Sequence, residues 1–180
     1  MRITDDYVFF FSHKDVFSNW YIAPFTETEP GYNQTFNCVE QYMMWRKALL
    51  FNDHNTAQAI LTHSLIRKDE KIQAYYKRMG RAVSDFDNNV WEENRERIVM
   101  RGLCLKYVQN PDLYADLHLY QYKTFVEASP YDKVYGIGMG MYEPGVLNPA
   151  TWKGQNLLGK YHNKLIEILF PDKIPQRRYL

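Results

Sequence analysis

Apolar positions along this chain recur at two spacings, and the change between them sets out the predicted elements. YVFFF at 7–11 and WYIAPF at 20–25 predict two short strands around a turn at His13–Ser18. TETEPGYNQT at 26–35 predicts a polar loop. A helix follows over Val39–Phe51, and Asn55 caps a short one over Thr56–Thr62. Residues 68–83 read as an amphipathic helix with Ile72, Tyr75, Tyr76 and Met79 inward. SDFDNN supplies caps for a long helix over Asn89–Gln109, whose inward stripe holds Trp91, Ile98, Gly102 and Leu105. Pro111 suits the first turn of another helix, running to Tyr120. TFVEAS at 124–129 alternates as a strand does, and the glycine-punctuated 129–145 predicts irregular chain. A last helix spans 155–170, stopped by Pro171, with a polar, exposed tail over 171–180. There is no internal repeat and no dividing linker, so residues 1–170 are expected to form one domain of α+β class, dominated by helices.

The helix over 39–51 stands out because it leaves so little solvent face. Tyr42, Met43, Met44, Trp45, Leu49, Leu50 and Phe51 crowd it, and only Gln41 and Arg46 look like surface positions. Glu40 and Lys47 lie seven residues apart, within about 20° of each other around the axis. Charges on a mostly buried helix are unfavourable unless paired or used in chemistry. A buried lysine loses its proton readily, and the neutral amine is a nucleophile. The same pattern fits an internal ion pair.

Composition narrows the field. The chain of 180 residues is long enough for a substantial core. Its net charge of +1 and pI near 7.7 argue against long-range attraction to nucleic acid. Aromatics are plentiful, with 15 Tyr, 10 Phe and 4 Trp, and serve either as core or as stacking platforms. Cys38 and Cys104 fall among apolar helical residues and read as small buried hydrophobes rather than a disulfide. With no signal peptide and no run of ~18 apolar residues, a soluble cytoplasmic protein is expected. The histidines are far apart and no HExxH or CxxC occurs, so no metal site and no cofactor is expected.

Other candidates admit two readings each. Arg95, within the apolar stripe, suits a phosphate or carboxylate, or snorkels. Glu127 and Asp132 suit leaving-group protonation and water activation; alternatively Asp132 caps a turn and Glu127 is a surface residue. GIGMG at 136–140 lacks the spacing of a phosphate loop, and its glycines also serve for bends. Trp152 to Gly159 opens a helix whose amides could receive an anion, or is an ordinary helix start.

Taken together, FFSHKDVFSNW, FNCVEQYMMWRKALLFND, GRAVSDFDNNVWEENRERIVMRGLCLKYVQN, FVEASPYDKVYGIGMG and NPATWKGQNLLG resemble the NADAR (YbiA-like) superfamily, from Phe10 to about Leu169. The resemblance implies a compact, helix-rich fold with small β elements and N-glycosidase chemistry without a metal. Some members hydrolyse ribosylated intermediates of riboflavin synthesis; others remove ADP-ribose from guanine in nucleotides or nucleic acid. It carries catalytic roles onto Glu40, Lys47, Glu127 and Asp132. Ligand-facing roles fall on Asn19, Trp91, Arg95, Tyr135, Gly136, Gly138, Trp152 and Asn156. Tyr135 departs from the family, many of whose members have Trp there, which changes the ring offered to a leaving base.

The expected chemistry is attack of neutral Lys47 on ribose C1, with Glu40 positioning the amine. Glu127 or Asp132 serves the leaving nitrogen, and Arg95 with the amides of Gly136–Gly140 holds phosphate. The expected partner is an ADP-ribosylated or ribosyl-phosphate small molecule, or a modified nucleic acid, with no membrane. Rival classes are a non-catalytic ADP-ribose-binding module and a tyrosine-rich nucleic-acid binder. Retention of Glu40, Lys47 and Glu127 together favours the enzyme.

Overall fold

Unit by unit, the helices form where the 3.6-residue pattern puts them, while the strands are shorter and differently placed. The computed structural model describes residues 1–62 and 71–171; the predicted helix start at 68–70 and the tail at 172–180 lie outside them. The chain forms two units, Asn19–Asn110 and Met1–Ser18 with Pro111 onward.

In the Asn19–Asn110 unit, helix α1 (Val39–Leu50) is the centre, packed by α2 (His54–Thr62), α3 (Ile72–Arg81) and α4 (Asn88–Val108). Its first seven residues are all buried, as an apolar-all-round helix requires. Asp87 caps α4 by accepting from Asn89 N at 2.7 Å and Val90 N at 3.1 Å. The short helix α2 begins earlier than predicted: Asp53, not Asn55, holds its first turn, accepting from Thr56 N at 2.9 Å. In α3, Tyr75 and Tyr76 are buried as expected, but Gln73 and Gly80 join them while Ile72 and Met79 are half-buried.

The strand expected at 20–25 and the loop at 26–35 are both corrected. Pro24 has no N–H for a ladder, and the pairing begins at Phe25. An antiparallel hairpin joins β1 (Phe25–Glu27) to β2 (Gln34–Phe36), with Phe25 opposite Phe36. Its open edge is closed by one side chain. The Gln109 amide accepts from Thr26 N and donates to Thr26 O, both at 2.8 Å, as a neighbouring strand would.

The other unit carries a three-stranded sheet. Arg2–Ile3 pairs antiparallel with Tyr7–Phe10, which pairs parallel with Thr124–Glu127; these are named β3, β4 and β5. Phe9 and Val126 face one cluster with Ile137, Met139 and Val146. Phe10 and Phe125 face the other way, onto Phe17 and the fully buried His162, whose ring stacks on Phe125 at 5.4 Å and 7°. Burial on both faces explains the unbroken apolar run of β4. Helices α5 (Pro111–Leu119) and α6 (Leu157–Leu169) complete the unit.

Strand β5 has β4 on one side only. On the other side, Phe125 N donates to Asn163 Oδ1 at 3.2 Å and Glu127 N to Asn156 Oδ1 at 2.9 Å, while Asn156 Nδ2 donates to Phe125 O at 3.0 Å. The contact leaves no room beside α6, since a Cβ on Gly159 would lie 2.1 Å from Phe125 O. Gly159→Ala is therefore expected to destabilise the protein by about 3 kcal/mol; chemical denaturation measures it, and a loss under about 1 kcal/mol means that α6 shifts freely.

Candidate functional site

Lys47 sits in the last turn of α1, and what surrounds it comes from α3, the 82–87 loop and α4. Its Nζ donates to Gly80 O at 2.7 Å, lies 4.0 Å from the Phe86 ring centroid and 5.7 Å from that of Trp91. Burial lowers its pKa from the ordinary lysine range. The carbonyl and the two rings favour the ammonium, so the amine is held in place while charged and released more easily by desolvation. The reading of Glu40 and Lys47 as a direct ion pair is corrected. The two share a face but stand two turns apart, about 10 Å along the axis, and the lysine bonds to a carbonyl instead.

Glu40 is 4% exposed, at the first turn of α1. Its backbone N–H donates to Asn19 O at 3.0 Å, so two of the predicted residues meet there. Asn19 is itself buried, and its side-chain Oδ1 accepts no hydrogen bond among the described residues. Such an acceptor is disfavoured by about 1–3 kcal/mol until a donor reaches it. Trp91 is buried beside Lys47, as placed by the stripe on α4. Arg95 is half-buried and turns to Glu92 at 3.6 Å, a pairing along its own helix.

The residues expected around Glu127 are mostly held by their own unit. Glu127 ends β5, with Oε2 fully buried. Asp132 Oδ1 accepts from Val134 N and Tyr135 N, each at 2.8 Å, so the carboxylate caps the turn through that oxygen. The backbone amides of Gly136–Gly140 are not an open phosphate cradle. Ile137 N donates to Glu127 O, Gly138 N to Asp132 O and Gly140 N to Glu143 Oε1. Gly136 is needed for close approach, since a Cβ would come within 2.8 Å of Asp132 O, and Gly138 has φ +64°. Tyr135 is half-buried, with its backbone O accepting from Leu158 N at 3.1 Å. Trp152 is half-buried against the cluster of Phe9 and Val126 with its edge towards Tyr7, and its Nε1 donates to Val146 O at 2.8 Å. Asn156 is likewise a bracket for β5, with both ends of its amide engaged.

The sequence pattern of the NADAR domain matches residues 9–169. The chain belongs to the NADAR family. It is 38% identical over 171 residues to N-glycosidase R617 of Acanthamoeba polyphaga mimivirus, covering 91% of this chain and 96% of that protein. It is 31% identical over 180 residues to Protein irg-1 of Caenorhabditis elegans, covering 93% and 81%. The NMR structure of the E. coli protein YbiA superposes with a TM-score of 0.68 at 25% identity, covering 93% of this chain and 87% of that one. The α+β, helix-dominated class expected from the sequence is the one this NADAR chain has.

Sequence reasoning missed three charged or aromatic features of this NADAR chain. Phe86, a lone apolar residue in a polar run, closes over Lys47 and packs on Phe51 at 5.2 Å. Lys106 is fully buried, its Nζ 5.6 Å from the Tyr21 ring centroid and 5.2 Å from that of Tyr107, and burial pushes its amine down to about 7. The signal was available, for LCLKYV is as apolar around its lysine as the segment around Lys47. Glu27 is fully buried, gripped by Arg101 at 2.7 and 3.0 Å and by the Tyr42 hydroxyl at 3.0 Å. Cys38 is a buried thiol that burial pushes up to about 12, whereas Cys104 is half-buried. No group of three or more His, Cys, Asp or Glu suited to a metal occurs among the described residues, nor any helix long and apolar enough to cross a membrane.

Proposed function

We propose that this NADAR chain is an N-glycosidase that cleaves the bond between ribose C1 and a base nitrogen, with ADP-ribosylated guanine, as nucleotide or in nucleic acid, as its substrate. The environment of Lys47 carries the reading: a half-buried amine fixed by one carbonyl and two rings, on the same helix face as a buried carboxylate. The related protein whose name states an N-glycosidase supports the reaction class.

In this reaction the lone pair of neutral Lys47 forms a bond to C1, and the C1–N bond breaks with its electrons leaving on the base. The base nitrogen takes up a proton, and the sugar ring opens to give an imine on Lys47. Water adds to the imine and expels the amine, releasing the sugar as an aldehyde. Glu40, two turns away on the same helix face, is a proposed catalytic carboxylate on chemical grounds. Glu127 is the proposed acid for the leaving nitrogen, on chemical grounds.

Sodium borohydride added during turnover reduces such an imine, so peptide mass analysis is expected to find sugar on Lys47. An active enzyme that yields no adduct overturns the covalent route, and an adduct on Lys106 reassigns the amine. Chromatography of base release from ADP-ribosylated guanosine, with ribosylaminouracil phosphates run in parallel, decides the substrate; release only from the latter sinks the guanine assignment. Glu127→Gln is expected to lower kcat about 100-fold or more with little change in KM, because an amide does not deliver the proton. A change in KM alone gives Glu127 a binding role instead.

A further inference from the structure

Arg46 precedes Lys47 on α1 and lines a pocket whose lining does not include that lysine. That pocket, of about 130 Å³, is lined by Arg46, Leu49 and Leu50 of α1, Arg97 and Ile98 of α4, and Tyr32 of the hairpin loop. Its two charged lining residues are both guanidiniums. Arg46 is held in place from three sides, with its Cζ 5.3 Å from the Tyr32 ring centroid, 5.9 Å from Tyr42 and 6.0 Å from Trp45. Its ion pair with Glu29 is loose, at 3.4 Å to a half-exposed carboxylate that also lies 3.9 Å from Arg101. Arg97 is exposed and donates to Asn94 Oδ1 at 3.2 Å along its own helix, leaving other guanidinium N–H groups for a ligand. Liquid water occupies ~30 Å³ per molecule, so the volume suits a tetrahedral oxyanion with its four oxygens.

We propose that this pocket is a phosphate-binding site, in which Arg97 and the preorganised Arg46 grip phosphate oxygens through charge-assisted hydrogen bonds. This rests on the proposed function in one respect only, that the substrate carries phosphate. The phosphate belongs either to the ADP-ribosylated nucleotide or to a neighbouring position on a nucleic-acid strand, and the chemistry of recognition is the same. Arg95, the phosphate ligand expected from the sequence, is not among the residues that line this pocket.

The test begins with binding alone, so it does not depend on catalysis. Inorganic phosphate and an unmodified single-stranded DNA hexamer are titrated into the isotope-labelled full chain and followed by amide chemical shifts. Shifts are expected at Tyr32, Leu50 and Ile98, with affinity about tenfold weaker in Arg97→Gln and in Arg46→Gln. Thermal unfolding verifies that Arg97→Gln, an exposed change, leaves the fold in place. Shifts elsewhere, or wild-type affinity in both variants, overturn the site. KM then distinguishes the sources. A rise in Arg97→Gln for both ADP-ribosylated guanosine monophosphate and the same modification within an oligonucleotide assigns the nucleotide's own phosphate. A rise for the oligonucleotide alone, with the slope of log KM against log salt reduced by about 0.7, assigns the strand. KM unchanged for both overturns a role in substrate binding. If no substrate is turned over, the functional reading fails while the phosphate titration still decides the pocket.

Discussion

Lys47→Ala is expected to reduce kcat by about three orders of magnitude or more while leaving the protein folded. The covalent route has no other amine in its first step, so truncation removes the nucleophile rather than tuning it. The structural loss is small by comparison: one hydrogen bond to Gly80 O and the ring contacts with Phe86 and Trp91, together about 1–2 kcal/mol. Single-turnover kinetics beside a thermal melt separate the two effects. Turnover near the wild-type rate takes Lys47 out of the mechanism, and collapse of the fold makes it a structural residue. The pH dependence has a fixed sign. Neutral amine is the reactive form and burial lowers the Lys47 pKa, so the rate of imine formation rises with pH and levels off below the ordinary lysine range.

A large effect on stability is expected at Arg101. Arg101→Ala leaves the Glu27 carboxylate buried with the Tyr42 hydroxyl and the local amides but no counter-charge. Removing one partner of a buried pair is disfavoured by 3–5 kcal/mol, and the partial exposure of Arg101 brings the expectation to about 3 kcal/mol, or about 10 °C in Tm. Burial by itself would raise the Glu27 pKa, but Arg101, the Glu29 amide and Tyr42 outweigh it and hold the carboxyl at about 2. A depressed carboxylate stabilises the fold above its unfolded value of about 4.5 and loses that contribution as pH falls towards 2. The gap between wild type and Arg101→Ala therefore narrows across that window. Melting curves at pH 7 and pH 3 measure it; an equal gap at both shows that Arg101 acts by packing rather than charge.

Periodicity made the helices legible, because each buries a stripe that local sequence displays. Both misplaced β segments have a physical reason. The hairpin looked like a loop because an inward position is Glu27, whose guanidinium partner lies 74 residues away, and because the edge of β1 is satisfied by the Gln109 side chain. The candidate site divides the same way. Lys47 and Trp91 were legible from charge and aromatic placement on helices, and the structure brings them together. The partner of Lys47 was not, since Gly80 contributes only a carbonyl, which no residue type announces. Asn156, Trp152 and the 136–140 glycines looked like ligand groups because amides, indoles and glycines serve both trades; their engagement within the fold appears only in three dimensions.

The two asparagines that flank β5 have a bearing on how the region opens. An amide hydrogen normally hidden by a neighbouring strand is here sheltered by side chains carried by α6 and its cap. Deuterium uptake at Phe125 and Glu127 should therefore follow the fraying of α6 rather than the unzipping of the sheet. Asn156→Ala would unlock the Glu127 amide while Ala128, whose N–H points to Phe10 O, stays protected.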